Sequence, residues 1–149
     1  MNRELCKRYP FLTIRDWRTG KPLKEWKYAF TELDNLPHGW RKAFGYQMLE
    51  EIRDTLIKGN YLYKYRITQI KEKYGGLRWY DYCVPASIYD ELQSIINKYE
   101  DLSYHTCIKC GRPATKISRG WISPFCDKCA EKLSGYMKFE NIEEFYHNK

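Results

Sequence analysis

The sequence predicts an α+β fold: an antiparallel sheet, two packed helices and a C-terminal treble-clef-like site of four cysteines. Three observations carry the prediction. They are two Cys-x-x-Cys pairs near the C-terminus, a Tyr-rich stretch broken by Gly75-Gly76, and two long stretches with helical periodicity. With 149 residues, 43% of them hydrophobic and 17% aromatic, the chain has material for one core and a small metal module. The expected division is an aromatic-rich basic α+β domain over 1–104 and a metal-binding module over 105–149 packed on it.

Residues 1–28 hold eight Lys/Arg against three acids, most of the net charge of +7. Tyr9, Phe11, Ile14, Trp17, Trp26 and Tyr28 are interleaved with these cations. Disordered basic tails lack aromatics, so this segment reads as short strands and turns laid over the fold. Its simplest explanation is aromatics in the core with Lys/Arg in water. From Pro37 the pattern changes. Trp40, Phe44, Met48, Ile52 and Leu56 recur every fourth residue, which predicts one amphipathic helix from about His38 to Lys58, ended by Gly59-Asn60.

Tyr61 to Val84 reads as a hairpin turning at Gly75-Gly76, a pair suited to the positive φ of a two-residue turn. That register sets Lys73 opposite Arg78 and Lys71 opposite Tyr80. Alternation then puts Ile70, Glu72, Leu77 and Trp79 on one face and Ile67, Gln69, Lys71, Lys73, Arg78, Tyr80 and Tyr82 on the other. A second helix follows over Ala86 to Tyr99, with Ser87 as its N-cap and Ile88, Leu92, Ile95, Ile96 and Tyr99 buried.

Fifteen residues separate Cys107-x-x-Cys110 from Cys126-x-x-Cys129. Two such pairs at that separation are the pattern of a four-thiolate zinc site, one structural Zn2+ held in a tetrahedron. Gly111 suits a turn needing positive φ, Ala114–Ser118 and Trp121–Phe125 read as a small hairpin, and good helix formers follow Cys129. Knuckle, hairpin and helix in that order make a treble clef. Such a site leaves no open position for an activated water, so the metal staples the fold and performs no reaction. Cys6 and Cys83 are left as free, packed thiols, and His105 as a bystander.

Catalytic patterns are lacking: three isolated His, no Ser-centred elbow, no phosphate-cradling Gly-Lys loop. Glu50-Glu51 and Glu143-Glu144 point to different sides of a helix and make no acid/base dyad. A nuclease or nucleotide hydrolase is therefore not the expected class. The charge favours anionic partners. Lys71, Lys73 and Arg78 can grip phosphate, Arg78 with its planar fork, while Tyr80 and Tyr82 can stack on bases. Arg119 and Trp121 in the loop between the pairs repeat the combination. Either cluster alone reads as solvated surface; together with the net charge they point to a phosphate-rich ligand. No apolar run reaches membrane-spanning length and the N-terminus lacks a signal-peptide core, so a cytoplasmic protein with reduced thiols is expected.

Lys71-Glu-Lys-Tyr-Gly-Gly-Leu-Arg-Trp-Tyr80 resembles the Lys-Glu-Lys-Phe-Gly-Gly-Leu-Arg-Phe-Tyr stretch of a group of small phage- and prophage-encoded zinc-binding proteins. Tyr9 to Leu12, Gly39-Trp40, Cys107 to Gly111, Gly120-Trp121 and Cys126 to Ala130 match further landmarks of that group. This chain departs from it by a longer basic N-terminal region and by the absence of Cys near Gly39. The group has no established activity, so the resemblance implies a phage setting and no reaction. In that setting the expected roles are binding of nucleic acid or of a signalling nucleotide in host takeover or anti-defence. The alternative is an inhibitor or adaptor of a host protein. Oligomeric state is left open, a homodimer included.

Overall fold

The computed structural model describes residues 1–148. The N-terminal segment is not the set of strands that its interleaved aromatics suggest. It opens on helix α1 (Asn2–Arg8) and a 3-10 turn over Pro10–Leu12. Cys6 and Tyr9 stand three apart and fall on the buried side, and Pro10 starts the new turn with its φ already set. Phe11 and Leu12 are then driven into the core. Strand pairing in this region amounts to one bridge, Arg15 to Pro22, among the described residues.

A second 3-10 turn, Glu32–Asn35, is capped reciprocally by Thr31 and Asp34. The long amphipathic stretch follows, but not as one helix. It runs as α2 (His38–Trp40), a π-helical turn over Arg41–Gly45, and α3 (Tyr46–Lys58). A stripe repeating every fourth residue drifts by about 40° per step around an α-helix, and a wider π turn absorbs part of that drift. Trp40, Met48, Ile52 and Leu56 are all fully buried as a result. Each apolar side chain buried in this way contributes roughly 1.5–3 kcal/mol over leaving it exposed.

Strands β1 (Arg66–Lys73) and β2 (Gly76–Tyr82) form an antiparallel pair whose turn is Tyr74-Gly75, one residue earlier than the Gly-Gly pair suggests. Both turn residues take positive φ, 51° and 87°. Lys71 therefore lies opposite Arg78, Lys73 opposite Gly76 and Gln69 opposite Tyr80. The shift moves each strand by one, so parity is kept and the cationic residues still share a face. The exception is a bulge at Thr68, between the pairs Ile67–Asp81 and Gln69–Tyr80. It turns Ile67 to the core side and brings Arg66, opposite Tyr82, onto the cationic face.

Helix α4 (Ala86–Ser103) runs one turn beyond Tyr99, and Pro85, not Ser87, occupies its N-cap position. It covers the outer edge of β2. The Leu77 N–H donates to Ser103 Oγ (2.7 Å) and the Trp79 N–H to the Glu100 carboxylate (2.9 Å). The C-terminal part contains β3 (Lys116–Ser118), β4 (Pro124–Phe125), α5 (Asp127–Leu133), β5 (Phe139–Asn141) and α6 (Ile142–His147). Its strands make an antiparallel sheet in the order β4-β3-β5. The architecture is thus α+β, with a treble-clef-like cysteine cluster at the C-terminal end. Two apolar cores result, one around Trp40, Tyr65 and Tyr99 and one around Cys107, Phe125 and Cys126, with Ile108 packed against both. Among the described residues, no helix is long and apolar enough to cross a membrane.

Candidate metal centre and anion-binding surface

The four cysteines come from two rigid corners. Cys107 and Cys110 sit on a tight turn in which the Gly111 N–H donates to the Cys107 carbonyl (3.0 Å) and the Cys107 N–H to the Arg112 carbonyl (2.7 Å). Gly111 takes φ 84° there, a conformation that side chains avoid. Cys126 is the N-cap of α5, and its sulfur accepts the Cys129 N–H at 3.5 Å. All four Sγ atoms lie within 4.8 Å of one another, and those of Cys110 and Cys126 are 3.6 Å apart. A tetrahedron with metal–sulfur bonds of 2.3 Å has edges of about 3.8 Å, so the set fits one thiophilic ion. A disulfide would need about 2.05 Å, and all six cysteines are free thiols. Burial, then the neighbouring sulfurs, push the Cys129 thiol up to about 12 in the absence of a metal. Binding an ion removes those protons and ties the two corners together. His105 stays outside the cluster, exposed and packed on the Tyr146 ring.

The first corner is locked to the body of the protein by Gly39-Trp40. The Gly39 N–H donates to the Ile108 carbonyl (2.9 Å) and Trp40 Nε1 donates to the Thr106 carbonyl (2.8 Å). A Cβ on Gly39 would lie 2.2 Å from the Cys107 carbonyl oxygen, so backbone meets backbone. The hairpin tip supplies a second contact. Gly75 rests on Ile122, and a Cβ on Gly76 would lie 2.3 Å from the Tyr104 ring.

That second contact joins the two cationic clusters of the sequence. Lys71, Lys73 and Tyr74 on the hairpin and Gly120, Trp121 and Ile122 on the β3–β4 loop line one groove of about 250 Å³. Trp121 is 74% exposed along it. The Lys71 ammonium lies 5.8 Å from the Tyr80 ring centroid and that of Lys73 5.8 Å from the Tyr74 ring. Neither lysine forms an ion pair among the described residues. Glu72 also borders the groove, but it accepts the Gly75 N–H at 2.7 Å and so serves the turn.

Two expected site residues are placed otherwise. Arg78 does not line the groove. Its guanidinium lies 5.7 Å from the Tyr104 ring, with Glu100 near. Burial lowers its pKa, the Tyr104 hydroxyl and Glu100 raise it more, and the net direction is up. Arg119 pairs with Glu140 at 2.9 Å and faces a separate cleft. Cys83, expected to be packed, is exposed, whereas Cys6 is buried.

Tyr82 marks a feature that periodicity alone does not reveal. It borders a cavity of about 450 Å³ whose cations are Arg15 and Arg66. The bulge at Thr68 is what aims Arg66 there, and a bulge leaves no mark on alternation. The available signal was the basic, aromatic character around Arg15 and Trp17. With this cavity at one end and the Trp121 groove at the other, the outward face of the hairpin is a strip of exposed or half-buried cations and aromatics. Compared with protein-family profiles, with curated proteins and with solved structures, the chain matches none. Its chemistry is therefore read from its own geometry.

Proposed function

We propose that this chain is a non-enzymatic binder of phosphate-rich ligands, single-stranded nucleic acid above all, with one structural Zn2+ as its staple. Zinc is the reading because four thiolates at tetrahedral spacing are its preferred closed set. The observation that carries the binding function is the meeting of the hairpin cations with Trp121 along one outward face. Eight residues of β1 give that face a length of about 25 Å. Unpaired lysines interspersed with exposed rings are what a flexible polyanion needs: charge for phosphates and flat surfaces for bases. The open groove suits a strand laid across it better than a small molecule that must be enclosed. In the phage setting that the motif resemblance implies, such a protein would act in the host cytoplasm on nucleic acid during takeover or anti-defence.

Fluorescence anisotropy with a labelled single-stranded oligonucleotide over a salt series tests this. Affinity is expected to fall steeply with salt, and Lys71→Ala with Lys73→Ala to reduce the slope by about 0.7 per cation removed. Trp121→Ala is expected to cost about 1–3 kcal/mol of binding with the fold intact. Binding that ignores salt, or that survives all three changes, would remove the proposal.

A further inference from the structure

The cavity at the other end of the hairpin is a distinct site. It lies between the loop after Leu12, the bulged start of β1 and the end of β2, and at about 450 Å³ it is in the range of small-ligand pockets. Two guanidinium groups line it, and neither forms an ion pair among the described residues. Arg15 donates from Nη1 to the Gly20 carbonyl (2.9 Å), while its Nε is buried with no hydrogen-bond partner. Arg66 is held in place by the carbonyls of Tyr63 and Tyr65, at 3.0 and 2.9 Å. A buried charged donor without an acceptor costs free energy, and two guanidinium groups lining one cavity without a counter-ion favour an anion between them.

The acids that border the cavity are engaged or disfavoured as charges. Asp16 accepts the N–H groups of Arg18 (2.7 Å) and Thr19 (3.2 Å) and so holds its own turn. Glu32 accepts from Asn35 (3.1 Å), and burial raises its carboxyl above the usual range, the Asn35 contact opposing. Burial, and then the field of Arg66, lower the pKa of Arg15, as two cations crowded without a counter-ion require. The rest of the wall mixes the threonines Thr13 and Thr68 with apolar and aromatic side chains. Phe11 and Ile67 form part of it, while Tyr82 is 63% and Trp17 90% exposed at the border. Exposed rings beside paired guanidinium groups are a stacking platform next to a phosphate clamp.

We propose that this cavity binds a nucleotide phosphate: the phosphate between Arg15 and Arg66, the base against Tyr82 and Trp17, and a hydroxyl or amino group donating to Glu32. The same chemistry is offered by a free mononucleotide and by the phosphorylated end of a strand lying along the hairpin. The site stands apart from the Lys71–Trp121 groove, and either can fail without the other.

Isothermal titration with nucleoside 5′-monophosphates, the matching nucleosides and inorganic phosphate tests it. A mononucleotide is expected to bind one per chain, at least tenfold tighter than either its nucleoside or inorganic phosphate. Trp17→Ala and Tyr82→Ala, both on exposed side chains, should each weaken it several-fold, and Arg15→Gln by tenfold or more. Lys71→Ala with Lys73→Ala should leave it unchanged. A 5′-phosphorylated oligonucleotide that outbinds both its 5′-hydroxyl form and the mononucleotide would assign the pocket to strand ends. Equal binding of the two oligonucleotides, with tight mononucleotide binding, would assign it to free nucleotides. No mononucleotide binding at millimolar concentration together with no preference for the 5′-phosphate would overturn the proposal. So would affinity that Arg15→Gln leaves intact while circular dichroism reports a native fold.

Discussion

Gly76 has no side chain because the Tyr104 ring fills that space. A methyl group there would sit 2.3 Å from the ring, whereas one on Gly135 would meet nothing within 4 Å. Gly76→Ala is therefore expected to lower stability by about 1–3 kcal/mol in urea denaturation, as overpacking does. Gly135→Ala should change it by less than about 0.5 kcal/mol. Equal effects would show that the Tyr104 contact yields at no cost. The Gly-Gly pair thus serves two purposes, one residue supplying positive φ and the other close approach. In the sequence both suit the turn, because a glycine shows the same letter whichever demand it meets. Arg78 is a similar case. Its type suits phosphate, but its place beside Tyr104 and Glu100 makes it part of the α4–β2 seam.

At the scale of elements, Glu50 and Glu51 illustrate how adjacent acids divide their work. Glu50 accepts from Arg8 (2.5 and 2.8 Å) and from the Tyr9 hydroxyl, pinning α1 to α3. Glu51 accepts from Lys98 (2.5 Å) and the Tyr99 hydroxyl, joining α3 to α4. Their expected divergence on the helix holds, and they form no dyad. The Arg8 hydrogen bond, then that of Tyr9, lower the Glu50 pKa to about 2. A carboxylate whose folded pKa lies below its unfolded value, about 4.3, adds stability that is complete above that value. The contribution is lost as the pH falls through 2. The pair is largely exposed, so solvent screening keeps the effect small. Wild type should exceed Glu50→Gln in urea midpoint near pH 6, and the gap should close towards about pH 2. A gap that widens on acidification would contradict this account.

At the scale of the molecule, contacts that hold the metal module to the body include two, at the cysteine corner and at the hairpin tip. One is the Gly39-Trp40 lock on the Cys107 corner and the other is the hairpin tip against Ile122. Removing the ion should loosen residues 105–148 first, because the two corners then share no crosslink. Hydrogen exchange after chelation is expected to quicken there while α3 and α4 stay protected. Cys126→Ser should lose the metal and reproduce the effect. Trp121 lies between the two cysteine pairs and on the groove, so the nucleic-acid affinity proposed above should fall when the ion is removed. Uniform loss of protection over the chain would instead mean that one cooperative unit spans both cores.

The cysteine spacing, the helical stripes and the parity of the hairpin were determined by sequence alone, because each is a local regularity that survives whatever packs against it. The two faces of the hairpin remained legible even with the turn displaced by one residue, since parity tolerates that shift. What packing decided is of another kind. The bulge at Thr68 exchanged Ile67 for Arg66 on the outward face, α1 replaced expected strands once Cys6 and Tyr9 found a core, and Arg78 was drawn to Tyr104. These outcomes depend on which surfaces meet, and residues far apart in sequence, such as Arg15 and Arg66 or Lys73 and Trp121, become neighbours only when the chain has closed.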